Sequence, residues 1–184
     1  MIRKLALAAA AVGLLATPAL AAGKMTVKTS IGCSFDIALR PDVAPKHVAQ
    51  VTKLAQSGFY DGVYFHRVIA GFMAQTGDGQ NAKDGGNVSM AGTGGSSEPD
   101  IPAEFSKEHF GRGTVGMARS SDPNSGNSQF FVMFADGGFL DGQYTVFGQV
   151  DEAGMACVDK IPPGEGDNGA VTGNFVKMTK VTVR

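Results

Sequence analysis

Short apolar segments separated by glycine, rather than long helical stretches, constrain the fold of this chain most strongly. The 184 residues include 26 glycines, and most of the apolar segments are rich in β-branched and aromatic residues, which favour strands. In one of them Phe35, Ile37 and Leu39 alternate with more polar or smaller residues, which is typical of a half-buried strand. The predicted strands are 25–30, 33–39, 63–68, 73–76, 114–118, 130–134, 144–150 and 175–183.

Helical patterns occur in only two places. The clearest begins at Pro45, where a missing N–H is tolerated, places Val48 and Val51 on one apolar face, and ends at Gly58. A second helix is predicted over 152–160. Strands outnumber helices and do not alternate with them, so we expect a mainly β fold, a closed antiparallel barrel rather than a parallel sheet.

The N-terminus has the order of a secretory signal. A short basic opening at 1–4, with Arg3 and Lys4, precedes an apolar run at 5–15, and Ala19-Leu20-Ala21 matches an A-x-A cleavage site. The alternative is a retained membrane anchor, but the run is shorter than the roughly 20 residues that span a bilayer. We therefore expect residues 1–21 to be removed, 22–184 to form one domain, and the protein to be periplasmic, with secretion as the other possibility.

Charge and cysteine content limit the possible partners. The formal net charge of −1 gives no reason to expect nucleic acid or, after signal cleavage, a membrane as a partner. Cys33 and Cys157 are too few for a disulfide-built scaffold. Export would permit a bond between them, but buried cysteine often behaves as a small apolar residue. We expect both thiols to stay free and to take no part in catalysis.

Several kinds of chemistry have little support. The glycine-rich run 92–96 in the long loop 77–102 lacks the lysine of a phosphate loop, so a backbone bend is the better interpretation. Neither metal-binding spacing nor a G-x-S-x-G elbow occurs, which disfavours metal or serine-nucleophile catalysis. Of the three histidines, His47 and His109 are expected to be solvated at the surface.

Residues 64–78 combine bulky apolar groups with two strong hydrogen-bonding side chains. Strand alternation predicts that Phe65 and Arg67 share one face, and that Met73 and Gln75 do so too. Taken one by one, the aromatic residues also fit an ordinary hydrophobic core, and Arg67 fits an ordinary surface charge. The residue pattern alone leaves both interpretations open.

The motifs here resemble those of the cyclophilins. Phe65-His66-Arg67-Val68-Ile69 is followed by Gly71-Phe72-Met73-x-Gln75-x-Gly77-Asp78, and further matches lie at 113–118, 127–131, 140–142 and 146–150, with a glycine turn at 92–95. The resemblance covers essentially all of the chain after the signal. It implies an eight-stranded β-barrel capped by two α-helices, with the active site in a groove on its outer face.

The resemblance also implies roles for individual residues. The catalytic set is Arg67, its partner Gln75, and Phe72. The substrate-binding set is Phe65, His66, Met73, Ala118, Arg119, Gln129, Phe131, Phe139, Leu140 and Tyr144.

The implied activity is peptidyl-prolyl cis/trans isomerisation, which assists the folding of exported proteins. It acts on proline-containing polypeptides, unfolded or in exposed loops, and needs no covalent intermediate, metal, cofactor or ATP. The protein is expected to act as a monomer. The other functions weighed are a peptide-binding module or chaperone without isomerase activity, which would not require Arg67, and a serine hydrolase.

The sequence departs from many eukaryotic cyclophilins at the groove. Phe139 stands where they have tryptophan, Tyr144 where they usually have histidine, and the loop 119–123 differs. These changes resemble bacterial cyclophilins. Because the family tryptophan donates a hydrogen bond to cyclosporin, Phe139 predicts weak inhibition by that drug.

Overall fold

The computed structural model describes residues 23–184. The predicted signal 1–21 lies outside the described residues. Eight strands form: β1 (Lys24–Thr29), β2 (Ser34–Leu39), β3 (Arg67–Ile69), β4 (Met73–Thr76), β5 (Thr114–Met117), β6 (Phe130–Met133), β7 (Val146–Val150) and β8 (Met178–Val183). Two α-helices accompany them, α1 (Pro45–Gln56) and α2 (Glu152–Val158). All eight predicted strands and both helices are therefore present, with the largest boundary changes in β3 and β8.

The strands form one antiparallel sheet in the order β3-β4-β6-β5-β7-β2-β1-β8. The sheet curls into an open half-barrel, so the predicted closed barrel is wrong. Its two edge strands, β3 and β8, form no ladder with each other. The chain before β3 meets the chain near β8 only through isolated contacts, such as the bridge between Tyr64 and Lys177 and the hydrogen bond from Phe65 N to Val176 O at 2.9 Å.

The concave side of the sheet holds the main hydrophobic core. Alternate residues of each strand point into it, among them Ile37, Val115 and Val132, which are fully buried. Helix α1 contacts β7 and β8, and α2 contacts β2. Among residues 23–184, no helix is long and apolar enough to cross a membrane.

Both helix N-termini are capped by carboxylates, which satisfy N–H groups that have no partner inside the helix. At α2 the side chain of Asp151 accepts a hydrogen bond from Gly154 N at 2.8 Å. At α1 the cap comes from a distant residue, Glu104, which accepts from the backbone N–H groups of Lys46 and His47 at 3.1 and 3.0 Å. These caps fix where each helix begins.

The same carboxylate explains why the expectation of a solvated His47 is wrong. His47 is only 1% exposed, and its Nδ1 lies 2.6 Å from Glu104 Oε2. Burial lowers the pKa of His47, while Glu104 acts in the opposite direction. His109, by contrast, is exposed as predicted, with its ring between Asp136 and Asp141.

Cys33 and Cys157 form a disulfide, which corrects the expectation that they remain free. Cys33 lies just before β2 and Cys157 lies in α2, and the packing of α2 on β2 brings their Cα atoms to 5.8 Å. That separation is within the usual range for a disulfide. Cys157 is buried, as predicted for it. Its bond to Cys33 could not be predicted, because the two residues lie 124 positions apart in the sequence.

Candidate functional site

One row of residues crosses the outer face of the sheet. Arg67 on β3 is paired with Gln75 on β4, Gln75 with Phe131 on β6, and Phe131 with Gly116 on β5. Residues that are paired directly across antiparallel strands project to the same face. The register therefore places a cation, an amide and an aromatic ring side by side.

An apolar pocket of about 250 Å³ opens beside this row. It is smaller than the roughly 300–1,000 Å³ of sites for drug-sized ligands, so it suits a single side chain. Its walls come from four parts of the chain that follow or carry β3, β4, β5 and β6. The lining residues are Arg67, Phe72, Met73, Gln75, Ala118, Arg119, Phe131, Phe139, Leu140 and Tyr144.

The pocket floor depends on the absence of a side chain at Gly116. A Cβ there would lie 2.5 Å from Phe131 Cζ and 2.6 Å from Phe110 Cε1. Without it, the rings of Phe110 and Phe131 stack with their centroids 5.8 Å apart, and Tyr144 meets Phe131 edge-on at 5.8 Å. These rings, with Met73 and Leu140, form a second hydrophobic cluster outside the main core.

Neutral groups hold the guanidinium of Arg67. Its Nη1 donates to Gln75 Oε1 at 3.2 Å, and its Nε and Nη2 donate to the backbone oxygen and Oδ1 of Asn168 at 3.0 and 2.9 Å. Burial lowers the pKa of Arg67, but an arginine in a protein remains protonated. The site therefore contains a permanent cation next to an apolar pocket.

Gln75 continues the network away from the pocket. Its Nε2 donates to Gln129 Oε1 at 2.9 Å, and Gln129 Nε2 donates to the carbonyl oxygens of Gly92 and Gly94 at 2.9 and 2.7 Å. Because both ends of each amide are engaged, the orientation of Gln75 Oε1 toward Arg67 is fixed.

A second, more polar pocket of about 480 Å³ adjoins the first. Gln75, Ala118 and Arg119 line both pockets, whereas Gln129 and the glycine run 92–96 belong to this one. The guanidinium of Arg119 lies 4.4 Å from the ring centroid of Tyr144, which places this cation over an aromatic face between the pockets.

The glycine run bends around a buried carboxylate. Asp78 is fully buried, and its Oδ2 accepts from the backbone N–H groups of Gly92 and Gly94 at 2.8 and 3.1 Å. Its Oδ1 accepts from the backbone of Gln80 and Asn81. The prediction of a backbone bend is confirmed, and the bend serves to shape the polar pocket.

Phe65 and His66 line neither pocket, so their expected contact with substrate stays a prediction that the pocket lining does not support. Phe65 is 1% exposed and belongs to the main core, while His66 is 4% exposed, with Gly92 packed against its ring. The expectation that Phe65 shares a face with Arg67 is wrong because the regular strand begins only at Arg67. Met73 and Gln75 do share the groove face.

Two contributors were missed by the sequence reasoning. Asp78 was recognised only as part of a motif, and Asn168 was not singled out. The run Gly166-Asp167-Asn168-Gly169 signals a turn, and Asn168 has a positive φ of 54° there. That signal predicts the turn but not its contact with Arg67, 101 positions earlier.

Comparisons with known proteins identify the family of the chain. The family described as "Cyclophilin type peptidyl-prolyl cis-trans isomerase/CLD" matches residues 24–183. The chain is 63% identical over 148 residues to a "Probable peptidyl-prolyl cis-trans isomerase" of Brucella suis, covering 79% of this chain and 74% of that protein. A protein of the same description from Brucella abortus is 62% identical over 153 residues, covering 80% and 77%.

Solved structures are similar in fold. A cyclophilin-type isomerase of Cryptosporidium parvum, crystallised in the presence of the dipeptide Ala-Pro, has a TM-score of 0.72 at 23% identity, covering 88% of this chain and 98% of that one. The cyclophilin AquaCyp293 of Hirschia baltica has a TM-score of 0.70 at 25% identity, covering 86% and 73%. The chain therefore belongs to the cyclophilin family and is a peptidyl-prolyl cis/trans isomerase.

Proposed function

We propose that Arg67 is the catalytic residue and that the adjoining apolar pocket receives the substrate proline. The C–N bond before proline resists rotation because resonance gives it partial double-bond character, with a barrier of about 18–20 kcal/mol. Uncatalysed isomerisation takes tens to hundreds of seconds, which is slow enough to limit folding. A catalyst needs only to favour the twisted amide over the planar one.

Twisting removes the resonance and leaves a lone pair on the proline nitrogen. Arg67 can donate a hydrogen bond to that lone pair, which exists only in the twisted state, and so favours the transition state selectively. Phe72, Met73, Phe131 and Leu140 hold the ring and exclude water, which strengthens the interaction with the cation. Gln75 acts as a positioning residue, since its side-chain oxygen accepts a hydrogen bond from Arg67.

The single observation that carries this proposal is the juxtaposition of Arg67 with the pocket, without a carboxylate to neutralise it. Among residues 23–184, none of the ion pairs within 4.0 Å involves Arg67. A surface that only binds peptides has no need of such a group. The C. parvum isomerase was crystallised in the presence of Ala-Pro, which supports proline-containing polypeptides as substrates here too.

The test is an Arg67→Ala variant in a protease-coupled prolyl-peptide assay. Loss of a charge-assisted hydrogen bond, worth about 1.5–3 kcal/mol, predicts a fall of about ten- to a hundredfold in kcat/KM. Arg40→Ala is the matched control, because Arg40 pairs with Asp42 and Glu108 and lines neither pocket. Near-normal activity of a folded Arg67→Ala protein would refute the mechanism.

We also propose that the protein is of the bacterial periplasmic type and acts on exported proteins during folding. The order of residues 1–21 supports export, and the Cys33–Cys157 disulfide suits an oxidising compartment. Mass spectrometry of protein from an exporting host should find a chain that begins at Ala22, or within one or two residues of it. Recovery of intact Met1 in the membrane fraction would favour the anchor instead.

A further inference from the structure

Besides Gln75, a second residue holds the side chain of Arg67, and this residue makes two hydrogen bonds to it. Asn168 receives the Nε hydrogen bond on its backbone oxygen at 3.0 Å and the Nη2 hydrogen bond on its side-chain oxygen at 2.9 Å. With the bond from Nη1 to Gln75, three of the five guanidinium N–H groups are engaged. Each terminal nitrogen keeps one N–H for the substrate.

The backbone conformation of Asn168 makes this double contact possible. Its φ of 54° lies in the left-handed region, where asparagine is tolerated better than most residues other than glycine. In this conformation the main-chain and side-chain oxygens of one residue both meet the same guanidinium.

Main-chain bonds fix the position of Asn168 relative to Arg67. Gly164 N donates to Val68 O and Val171 N donates to His66 O, both at 2.9 Å, so the two sides of the loop are fastened to the chain around Arg67. The approach between them is close, since a Cβ at Gly169 would lie 2.4 Å from Ile69 Cγ1. The loop therefore presents Asn168 from a defined position.

The chemistry of the anchor distinguishes Arg67 from Arg40 and Arg112. Arg40 pairs with Asp42 and Glu108, and Arg112 pairs with Glu152 and Asp159, and in both cases these carboxylates raise the arginine pKa. A carboxylate would orient Arg67 equally well but would neutralise its charge. The amides of Gln75 and Asn168 orient the guanidinium and leave its charge available.

We propose that Asn168 is a positioning residue for the isomerase reaction, which holds the plane of the Arg67 guanidinium while leaving its charge uncompensated. This inference rests on the proposed catalytic role of Arg67. Its physical basis is that a long, flexible side chain must be held close to the productive geometry for its full effect on the transition state.

The test uses Asn168→Gly, which tolerates the positive φ and keeps the backbone contact while removing the side-chain oxygen. We expect kcat/KM to fall about five- to twentyfold, with the melting temperature almost unchanged. Asn174→Gly is the matched control, because Asn174 is exposed, has a similar φ of 50°, and lies outside both pockets. It should retain full activity.

A double-mutant cycle separates positioning from a general structural role. If Asn168 acts through Arg67, then Asn168→Gly should cause no further loss in an Arg67→Ala background, measured with more enzyme to follow the residual rate. Equal losses in both backgrounds, or no loss in Asn168→Gly while Arg67→Ala is impaired, would overturn the inference alone. Full activity of Arg67→Ala would overturn the proposed mechanism and this inference with it.

Discussion

Reduction of the Cys33–Cys157 disulfide should destabilise the protein strongly without impairing its chemistry. The bond joins the start of β2 to α2 and closes a loop between positions 124 apart in sequence. In the chain-entropy account, a crosslink stabilises mainly by restricting the unfolded chain, and a loop of about 100 residues corresponds to about 4.7 kcal/mol. The present loop is slightly longer, so about 5 kcal/mol is the upper bound.

That bound converts directly into a thermal shift. A change of 1 kcal/mol moves the melting temperature by about 2–4 °C for a domain of about 150–250 residues. Full loss of the crosslink would then lower it by about 10–20 °C, and the typical 2–4 kcal/mol for a disulfide predicts about 4–16 °C.

Thermal unfolding followed by circular dichroism, with and without a phosphine reductant, measures this shift. Reduction keeps both sulfur atoms, so it isolates the crosslink from the packing of Cys157, which is 4% exposed. The double variant Cys33→Ala/Cys157→Ala is the control and should not respond to reductant. At 25 °C the reduced protein should retain its kcat/KM, because neither cysteine lines either pocket.

A melting temperature that changes by less than about 2 °C on reduction would refute this reasoning. Thiol counting in denaturant without reductant then shows which assumption failed. Two free thiols would mean that the bond does not form in the purified protein, and no free thiols would mean that it constrains the unfolded chain far less than the loop length implies.

Two further predictions concern Phe139, which lines the apolar pocket, and the exposed His109. Phe139 is 66% exposed and packs against Phe72 with ring centroids 5.4 Å apart, but it has no hydrogen-bond donor. Phe139→Trp should therefore gain roughly tenfold in cyclosporin affinity at similar kcat/KM, and an unmodified protein that is already strongly inhibited would contradict this. The pKa of His109 is raised by Asp141 and Asp136, so its stabilisation is complete below the unfolded pKa and lost as pH rises through the folded pKa. The difference in melting temperature between wild type and His109→Ala should shrink from pH 5.5 to 8.5, and a constant difference would refute the assignment.

The local elements of the fold could be predicted from sequence because their signals are local. Period-2 alternation located β2, and Pro45 with its apolar face located α1, within one or two residues. Strand β4 has the predicted boundaries, Met73–Thr76. Strand β3 was predicted to begin too early. The backbone N–H groups of Gly62, Tyr64 and Phe65 donate to Met178, Ala82 and Val176, which do not form a ladder of regular register with this segment.

The errors share a cause, which is dependence on a distant partner. His47 is polar and lies on a helix, so solvation was a reasonable expectation until Glu104, 57 positions away, was seen to cover it. Cys33 and Cys157 are adjacent only through the packing of α2 on β2. Whether the sheet is open or closed likewise depends on whether β3 and β8 pair with each other. The residues of neither strand alone indicate this pairing.

The central strands also show why alternation alone could not locate the groove. Every residue of β6 (Phe130–Met133) is buried, because one face joins the main core through Phe130 and Val132 and the other joins the outer cluster through Phe131 and Met133. An outer face that only met solvent would be polar.

The apolar residues of the outer face are therefore not part of the main core. They are buried because they pack against one another. A polar replacement such as Phe131→Ser should remove pocket surface and much of the turnover while leaving the main core cluster intact. The concave face holds the main core and the convex face holds the proposed site, where the register pairs Arg67, Gln75 and Phe131. Because a slip of one residue would exchange the faces, the packing of the core also fixes which side chains face the groove.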